Sequence, residues 1–125
     1  MGAVDVAVRA IRGAVQLDED SREHLLDSTR ELVSAVMTAN GLTPEDLISI
    51  VFTATPDLTS EFPAVAAREV GLGSVPLLCT VEIDVPGALP RVVRLMAHAD
   101  TDLPREQVQH VYLRGAAALR RDIAQ

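Results

Sequence analysis

The chain has 125 residues and a net charge of −7, and all eleven of its basic residues are arginine. Its length predicts one domain over residues 1–125, and an acidic chain without a basic face argues against a nucleic-acid partner. The single cysteine excludes an internal disulfide and favours a cytoplasmic location, and we expect neither a signal peptide nor a membrane span, because no apolar run is long enough.

Apolar runs separated by turn residues predict five strands and three helices. Runs rich in Val, Ile and Leu that end at Gly, Pro, Asn or Asp are typical of both element types, and their length and spacing separate the two. In chain order the predicted elements begin with a strand over 4–15, a helix over 20–40, a strand over 47–55 and a helix over 62–70. Three strands over 76–84, 92–99 and 108–113 and a short helix over 115–124 follow.

The long helix has the clearest start and end signals. Asp20 and Glu23 have capping-box spacing, and Asn40 followed by Gly41 is typical of a helix end. Between them, apolar residues recur at helical spacing and predict one buried stripe.

This order of elements predicts an α/β (α+β) fold, with a mixed β-sheet and the helices on one face. The other face of the sheet would carry too many apolar side chains to meet water. We therefore expect copies of the chain to cover that face in a homo-oligomer.

No motif indicates a metal, a nucleotide or a covalent nucleophile. His24, His98 and His110 lack zinc-site spacing, and the chain has no nucleophile elbow, phosphate loop or dinucleotide fingerprint. We expect no metal and no cofactor, and we interpret Cys79 as a small buried hydrophobe.

Charged residues inside apolar strands are stronger candidates for a site. Arg12, Glu82 and Arg94 fall in three different predicted strands, and Arg94 has apolar neighbours on both sides. A buried charge costs several kcal/mol unless it is paired. Each residue alone fits a solvent-facing strand position, but three such charges in three strands are less readily explained in this way.

Several segments, collinear from about residue 8 to residue 121, resemble the monofunctional, trimeric chorismate mutases of the bacillus type. The most specific are Ala-Thr-Pro-Asp-Leu at 54–58 and His-Val-Tyr-Leu at 110–113, with Arg120 seven residues further on. The other matching segments are 8–14, 61–64, 67–69, 75–79, 82–89, 94–96 and 101–104.

The resemblance implies an enzyme that rearranges chorismate to prephenate in phenylalanine and tyrosine biosynthesis, without a cofactor. It also implies a homotrimer whose sheets pack into a central pseudo-barrel, with the active sites at subunit interfaces. In this Claisen rearrangement the ether oxygen gains negative charge in the transition state. The enzyme must therefore hold the substrate in a reactive conformation and direct fixed positive charge at that oxygen.

The resemblance also assigns residues to roles. Arg94, Glu82 and Arg12 are the implied catalytic residues: Arg94 donates to the ether oxygen and a carboxylate, Glu82 accepts from the ring hydroxyl, and Arg12 binds the side-chain carboxylate. The remaining implied substrate-binding residues are Tyr112 through its hydroxyl, Cys79 through its backbone, Phe62, Ala64 and Arg68 from a neighbouring subunit, and Leu119 and Arg120 from the tail.

Strand geometry qualifies the role of Cys79. Because Cys79 and Glu82 are three residues apart, their side chains face opposite ways in a regular strand. We therefore expect Cys79 to offer its main chain, and Leu78 to share the face of Glu82. The chain departs from the family pattern at Val65, where relatives carry a lysine, and at Leu78, where they carry a threonine.

Two other functions remain open from the residues. One is a trimeric imine deaminase-like enzyme, which also places an arginine at subunit interfaces. The other is a non-catalytic trimer that binds the same dicarboxylate without turning it over.

Overall fold

The computed structural model describes residues 5–120, which form a five-stranded mixed sheet with helices packed against one face. The strands and α-helices are β1 Ala7–Gln16, α1 Arg22–Asn40, β2 Leu47–Ala54, α2 Pro63–Glu69, β3 Leu77–Val81, β4 Val92–Thr101 and β5 Val111–Leu113. Short 3-10 helices span Pro44–Asp46, Arg105–Gln107 and Arg114–Arg120. No helix in this part of the chain is long and apolar enough to cross a membrane.

The strand order is β3-β2-β4-β1-β5. The two inner pairs, β2 with β4 and β4 with β1, are antiparallel, whereas the outer strands β3 and β5 run parallel to β2 and β1. The first strand of the chain therefore lies between two strands that come late in the sequence.

One face of the sheet packs against the helices and forms the core. Alternate residues of the inner strands, such as Ile11, Phe52 and Leu95, are buried there against the apolar stripe of α1. Gly13 lies on the same face, and a Cβ at this position would come within 3.1 Å of methyl groups of Leu32 and Val36. The missing side chain thus lets α1 approach β1 closely.

The opposite face, called here the open face, carries the other set of alternate residues. Val8 and Leu78 are 55% and 62% exposed on it, and Met96 is half-buried. Both α-helices pack on the other face, and the prediction of helices on one face is confirmed for them. The 3-10 helix over Arg114–Arg120 covers part of the open face, at Ala14.

The helix α1 is capped differently from the prediction. The side chain of Ser21, and not that of Asp20, accepts a hydrogen bond from the backbone N–H of His24. Asp20 instead accepts hydrogen bonds from the backbone N–H groups of Thr59 and Ser60, which ties it to the loop before α2. At the other end, Gly41 is left-handed and closes the helix as expected.

The ends of three predicted elements also differ. The strand over 76–84 ends at Val81, because Glu82 donates the last ladder hydrogen bond, to Ala54, before the chain turns away. The strand over 108–113 pairs only from Val111 to Leu113, because the backbone N–H and carbonyl of Gln109 are both hydrogen-bonded to the Asn40 side chain. The helix predicted over 115–124 is a 3-10 helix over Arg114–Arg120, and its last four positions lie outside the described residues.

Candidate active site

A cleft of about 190 Å³ opens on the open face, above β1, β2, β4 and β5. Four of the predicted site residues line it: Arg12, Glu82, Arg94 and Tyr112. Thr53 of β2 completes the polar lining, whereas Val51, Leu95 and Met96 are apolar members. The cleft thus combines two guanidinium groups, one carboxylate and one phenol.

Strand register explains why these side chains meet. Thr53 pairs with Arg94, Arg94 pairs with Ala14, and Ala14 pairs with Tyr112, so one row of residues crosses β2, β4, β1 and β5. Paired residues point to the same face of a sheet. Ala14 itself is buried beneath Ala116 of the last 3-10 helix, so Arg94 and Tyr112 are the members of this row on β4 and β5 that line the cleft.

Arg94 is the least satisfied member of the cleft. Its Nε is buried and has no hydrogen-bond partner among the described residues. The nearest carboxylate oxygen, Oε2 of Glu82, is 3.8 Å away, which is beyond hydrogen-bond range. A buried donor without a partner costs about 1–3 kcal/mol. The side chain as a whole is 42% exposed and lines the cleft, so the guanidinium is available to a bound molecule through its exposed part.

Glu82 is held in place by Thr53, whose hydroxyl donates a hydrogen bond to Oε2. The carboxylate is 24% exposed, so it faces the cleft and not the solvent alone. Sequence reasoning missed Thr53. The alternation of side chains along β2 could have revealed it. Thr53 and Val51 lie on one face of this strand, and the buried Ile50 and Phe52 lie on the other.

Arg12 is fixed through its backbone. Its N–H donates to Nδ1 of His110 at 3.0 Å, which joins β1 to the segment before β5. The side chain is half-buried and forms no ion pair with the described residues. Its guanidinium charge is thus uncompensated within this part of the chain.

The other predicted site residues lie outside this cleft. Phe62, which is 67% exposed, and Cys79 line a separate groove of about 290 Å³. Ala64 is buried in α2, and Arg68 is exposed on the same helix. Leu119 packs near Tyr112, around Ala14 and Ala116, whereas the side chain of Arg120 lies outside the described part of the structure.

The parity prediction for β3 is confirmed. Cys79 pairs with Phe52 and packs against the core, on the helix side of the sheet. Leu78 is on the opposite side and largely exposed, and Glu82 contacts Thr53 on that same open face. The thiol of Cys79 therefore points away from the cleft that Glu82 lines.

Such a cleft binds a small molecule that carries more than one negative group. Two arginines and a phenol are suited to carboxylates, and the remaining carboxylate is suited to a hydroxyl of the same ligand. Fixed cations in a half-buried cleft also stabilise negative charge that develops during a reaction. The fold and the site together define a small α/β enzyme that acts on an anionic metabolite.

The chain belongs to the family described as chorismate mutase type I, whose sequence profile matches residues 8–123. It is 50% identical over 117 residues to the chorismate mutase AroH of Thermus thermophilus, covering 93% of this chain and 96% of that protein. It is 40% identical over 118 residues to the chorismate mutase AroH of Bacillus subtilis, and the match covers 94% of this chain and 93% of that protein. The fold matches the chorismate mutase from Clostridium thermocellum with a TM-score of 0.86 and 43% identity, covering 87% of this chain and 97% of that one.

The family membership confirms the resemblance and decides between the functions left open by the sequence. The chain is a chorismate mutase and thus an isomerase. An imine deaminase-like enzyme and a non-catalytic binding protein are set aside as its function.

Proposed function

We propose that this chorismate mutase binds chorismate in the cleft of the open face and rearranges it there to prephenate, with Arg94, Glu82 and Arg12 as catalytic residues. The observation that carries the proposal is the guanidinium of Arg94, which lines the cleft beside Glu82 and whose Nε has no hydrogen-bond partner among the described residues. The reaction moves no proton to or from the protein: one carbon–oxygen bond of the substrate breaks while one carbon–carbon bond forms.

Arg94 stabilises the transition state in this proposal. As the ether carbon–oxygen bond lengthens, negative charge collects on the oxygen, and a guanidinium N–H donor gains interaction energy at that moment. The Arg94 side chain is 42% exposed overall but its Nε is buried. The exposed part of the guanidinium can thus reach the substrate, while the rest of the group is shielded from water.

Arg12 and Tyr112 hold the substrate in its reactive conformation. Both lie on the β1–β5 side of the cleft, and both suit the side-chain carboxylate of chorismate. Folding that side chain over the ring before the reaction removes a large entropic part of the barrier. Their main effect is therefore expected on substrate binding and positioning.

Glu82 binds the ring hydroxyl and balances positive charge that develops on the ring. Thr53 fixes the carboxylate, so Glu82 is preorganised when the substrate arrives. At 3.8 Å from the Arg94 Nε, the carboxylate is close enough to steady the guanidinium without occupying its donor.

We further propose that the working enzyme is a homotrimer with its active sites at subunit interfaces. Phe62, Ala64, Arg68 and the backbone of Cys79 would then serve the cleft of a neighbouring subunit, and Leu119 with Arg120 would close it. Support comes from exposed apolar residues, Leu78 on the open face and Phe62 outside the cleft. The single cysteine supports a reducing, cytoplasmic location for this assembly.

The test is a continuous absorbance assay of chorismate loss by the wild type and Arg94 variants. Arg94→Ala should lower kcat by at least ~10²-fold, the usual effect of deleting one preorganised donor. Arg94→Gln should recover little activity, because it donates a hydrogen bond but carries no charge, whereas Arg94→Lys should recover more.

Arg30→Ala provides the matched control. Arg30 is an arginine of α1 that pairs with Asp27 and Glu69 on the helix side of the sheet, away from the cleft, so kcat should stay within about twofold of the wild type. Near-normal turnover by Arg94→Ala, or by Arg94→Gln alone, would contradict the electrostatic role.

A further inference from the structure

The segment Ala-Thr-Pro-Asp-Leu at 54–58 is among the most specific features of the sequence, but none of its residues lines the cleft. It begins with the last residue of β2, directly after Thr53. Its polar side chains, Thr55 and Asp57, contact the residues at which β4 begins. Any effect of this segment on the cleft is therefore indirect, through β4.

Arg91, the residue before β4, has a left-handed backbone with a φ of 55°. A residue with a Cβ rarely adopts this conformation, and it persists only where surrounding contacts hold it. The preceding loop offers little support, because residues 83–88 are all exposed. The conformation of Arg91 must instead be held by hydrogen bonds.

Two neighbours provide these hydrogen bonds. The carboxylate of Asp57 accepts the backbone N–H of Arg91, at 3.0 Å to Oδ2 and 3.3 Å to Oδ1. From the other side, the backbone N–H of Leu17 donates to the Arg91 carbonyl at 2.7 Å, and the Arg91 Nε donates to the Leu17 carbonyl at 3.0 Å. Arg91 is thus held between the loop after β2 and the end of β1.

Thr55 extends these contacts to Val92, the first residue of β4. Its backbone N–H donates to the carbonyl of Val92, and its hydroxyl accepts the N–H of Val92, both at 3.0 Å. The hydroxyl also donates to Oδ1 of Asp57. We call Thr55 and Asp57 the entry clamp, because together they fix the entry of the chain into β4.

The entry clamp is close in sequence and in space to both charged residues of the cleft that face each other. Arg94 lies two residues after Val92 on the same strand, and the backbone N–H of Glu82 donates to the carbonyl of Ala54 at 3.0 Å. Residues 54–57 therefore attach the segments that carry both charges to the end of β2. The distance of 3.8 Å between the Arg94 Nε and the Glu82 Oε2 depends on this common attachment.

We propose that Asp57 and Thr55 are positioning residues of the mutase reaction, which hold the start of β4 so that the Arg94 guanidinium meets the charge that develops on the substrate. The inference rests on the proposed function, because it assumes that Arg94 acts in the transition state. A misplacement of about 1 Å can cost about 10²-fold in rate. Loss of the clamp therefore affects kcat more than KM, since this donor gains interaction energy during the reaction.

The first measurement is steady-state kinetics on chorismate with the full-length protein. Asp57→Ala should lower kcat by about tenfold and change KM by less than about threefold. Asp57→Asn keeps an oxygen that accepts the Arg91 N–H and should recover most of the turnover. The matched control is Asp46→Ala, because Asp46 also accepts a backbone N–H and a threonine hydroxyl, both from Thr43, at the opposite end of β2. Its kcat should stay within about twofold of the wild type.

A second measurement separates positioning from a general loss of structure. In the Arg94→Lys enzyme the guanidinium is already absent, so adding Asp57→Ala should lower kcat by no more than about threefold, against about tenfold in the wild type. A general loss of structure would lower kcat of both enzymes by the same factor. Thr55→Val, which removes the acceptor of the Val92 N–H, should behave like Asp57→Ala, and Thr55→Ser should recover most of the activity.

Wild-type turnover by Asp57→Ala and Thr55→Val, or an equal loss from Asp57→Ala in the two backgrounds, would overturn this inference. So would a loss in Asp46→Ala as large as that in Asp57→Ala. If circular dichroism shows that Asp57→Ala does not fold, the pair Thr55→Val and Thr55→Ser decides in its place. A failure of the proposed function has a different signature, because Arg94→Ala and Arg94→Lys would then turn over chorismate like the wild type.

Discussion

Thr53 and Glu82 show how one hydroxyl governs the charge balance of the cleft. The Thr53 hydroxyl occupies Oε2 of Glu82, and the same oxygen lies 3.8 Å from the Arg94 Nε. If the hydroxyl were absent, the carboxylate would be free to turn and bond the guanidinium directly. That contact would fill the donor proposed for the ether oxygen.

At this residue scale, we expect Thr53→Val to lower kcat/KM by about tenfold, through loss of a hydrogen bond to a charged group. Thr53→Ser keeps the hydroxyl and should restore most of the activity. The measurement is steady-state kinetics on chorismate, with circular dichroism to check the fold. A Thr53→Val enzyme as active as the wild type would show that Glu82 needs no such support.

The residue scale also shows what the sequence makes predictable. Arg12, Glu82, Arg94 and Tyr112 meet in one cleft, as the resemblance to the family implies. Thr53 was missed because a threonine in a strand is an ordinary residue. Only the pairing of β2 with β4 reveals that it stands beside Arg94.

At the element scale, Asn40 joins the end of α1 to the start of β5. Its side-chain amide donates to the carbonyls of Val36 and Gln109, and its oxygen accepts from the N–H of Gln109. The residue is only 5% exposed. The sequence marked Asn40 as a helix end but gave no sign of this second contact, which shortens β5.

We expect Asn40→Ala to lower the free energy of unfolding by about 1–3 kcal/mol, because it leaves backbone groups of Gln109 without partners. Urea denaturation measures this change. Thr38→Ala, an exposed substitution in the last turn of the same helix, is the control and should have little effect. Equal losses in the two variants would contradict a specific role for Asn40.

Glu61 performs a similar joining function before α2. Its carboxylate accepts hydrogen bonds from the backbone N–H of Phe62 and from the Arg22 side chain, both at 2.9 Å. These contacts lower the pKa of Glu61, the Phe62 hydrogen bond being the largest cause. The charged form thus fixes the backbone of Phe62, a residue proposed for the active site.

A depressed pKa gives a defined pH dependence. The stabilisation is fully present above the unfolded pKa of about 4.3, and is lost as the pH falls through the lower folded value. Glu61→Gln should therefore be less stable than the wild type at pH 7, and the gap should close toward pH ~2. Glu45→Gln, at an exposed carboxylate without a hydrogen bond in the described structure, is the control for urea titrations at both pH values. A gap that persists unchanged in acid would refute this assignment.

At the scale of the whole molecule, the open face links assembly to activity. Val8 and Leu78 are large apolar residues left exposed on it, and together they favour burial against another copy of the chain. The amino-acid sequence predicted that this face is apolar, because both sets of alternate residues in the strands include apolar side chains. It did not predict the order β3-β2-β4-β1-β5, since pairing partners leave no local signal.

If the trimer forms through this face, Leu78→Glu should produce monomers and lower kcat/KM by at least ~10²-fold, because a buried unpaired charge costs several kcal/mol. Analytical ultracentrifugation and the absorbance assay measure the two effects. Ala39→Glu places the same charge on the exposed side of α1 and should change neither. A variant Leu78→Glu that sediments like the wild type would contradict this interface.

The position of β1 between β4 and β5 has a consequence for how the protein is made. While the ribosome is still adding residues, the first strand has no partner, because both of its neighbours are encoded near the end. Its apolar side chains stay unburied until β4 and β5 have been synthesised, and pairing between segments so distant in sequence is slow. The row from Thr53 to Tyr112 is therefore completed only with the final stretch of translation, and a polypeptide released before Val111 lacks the Tyr112 side of its cleft.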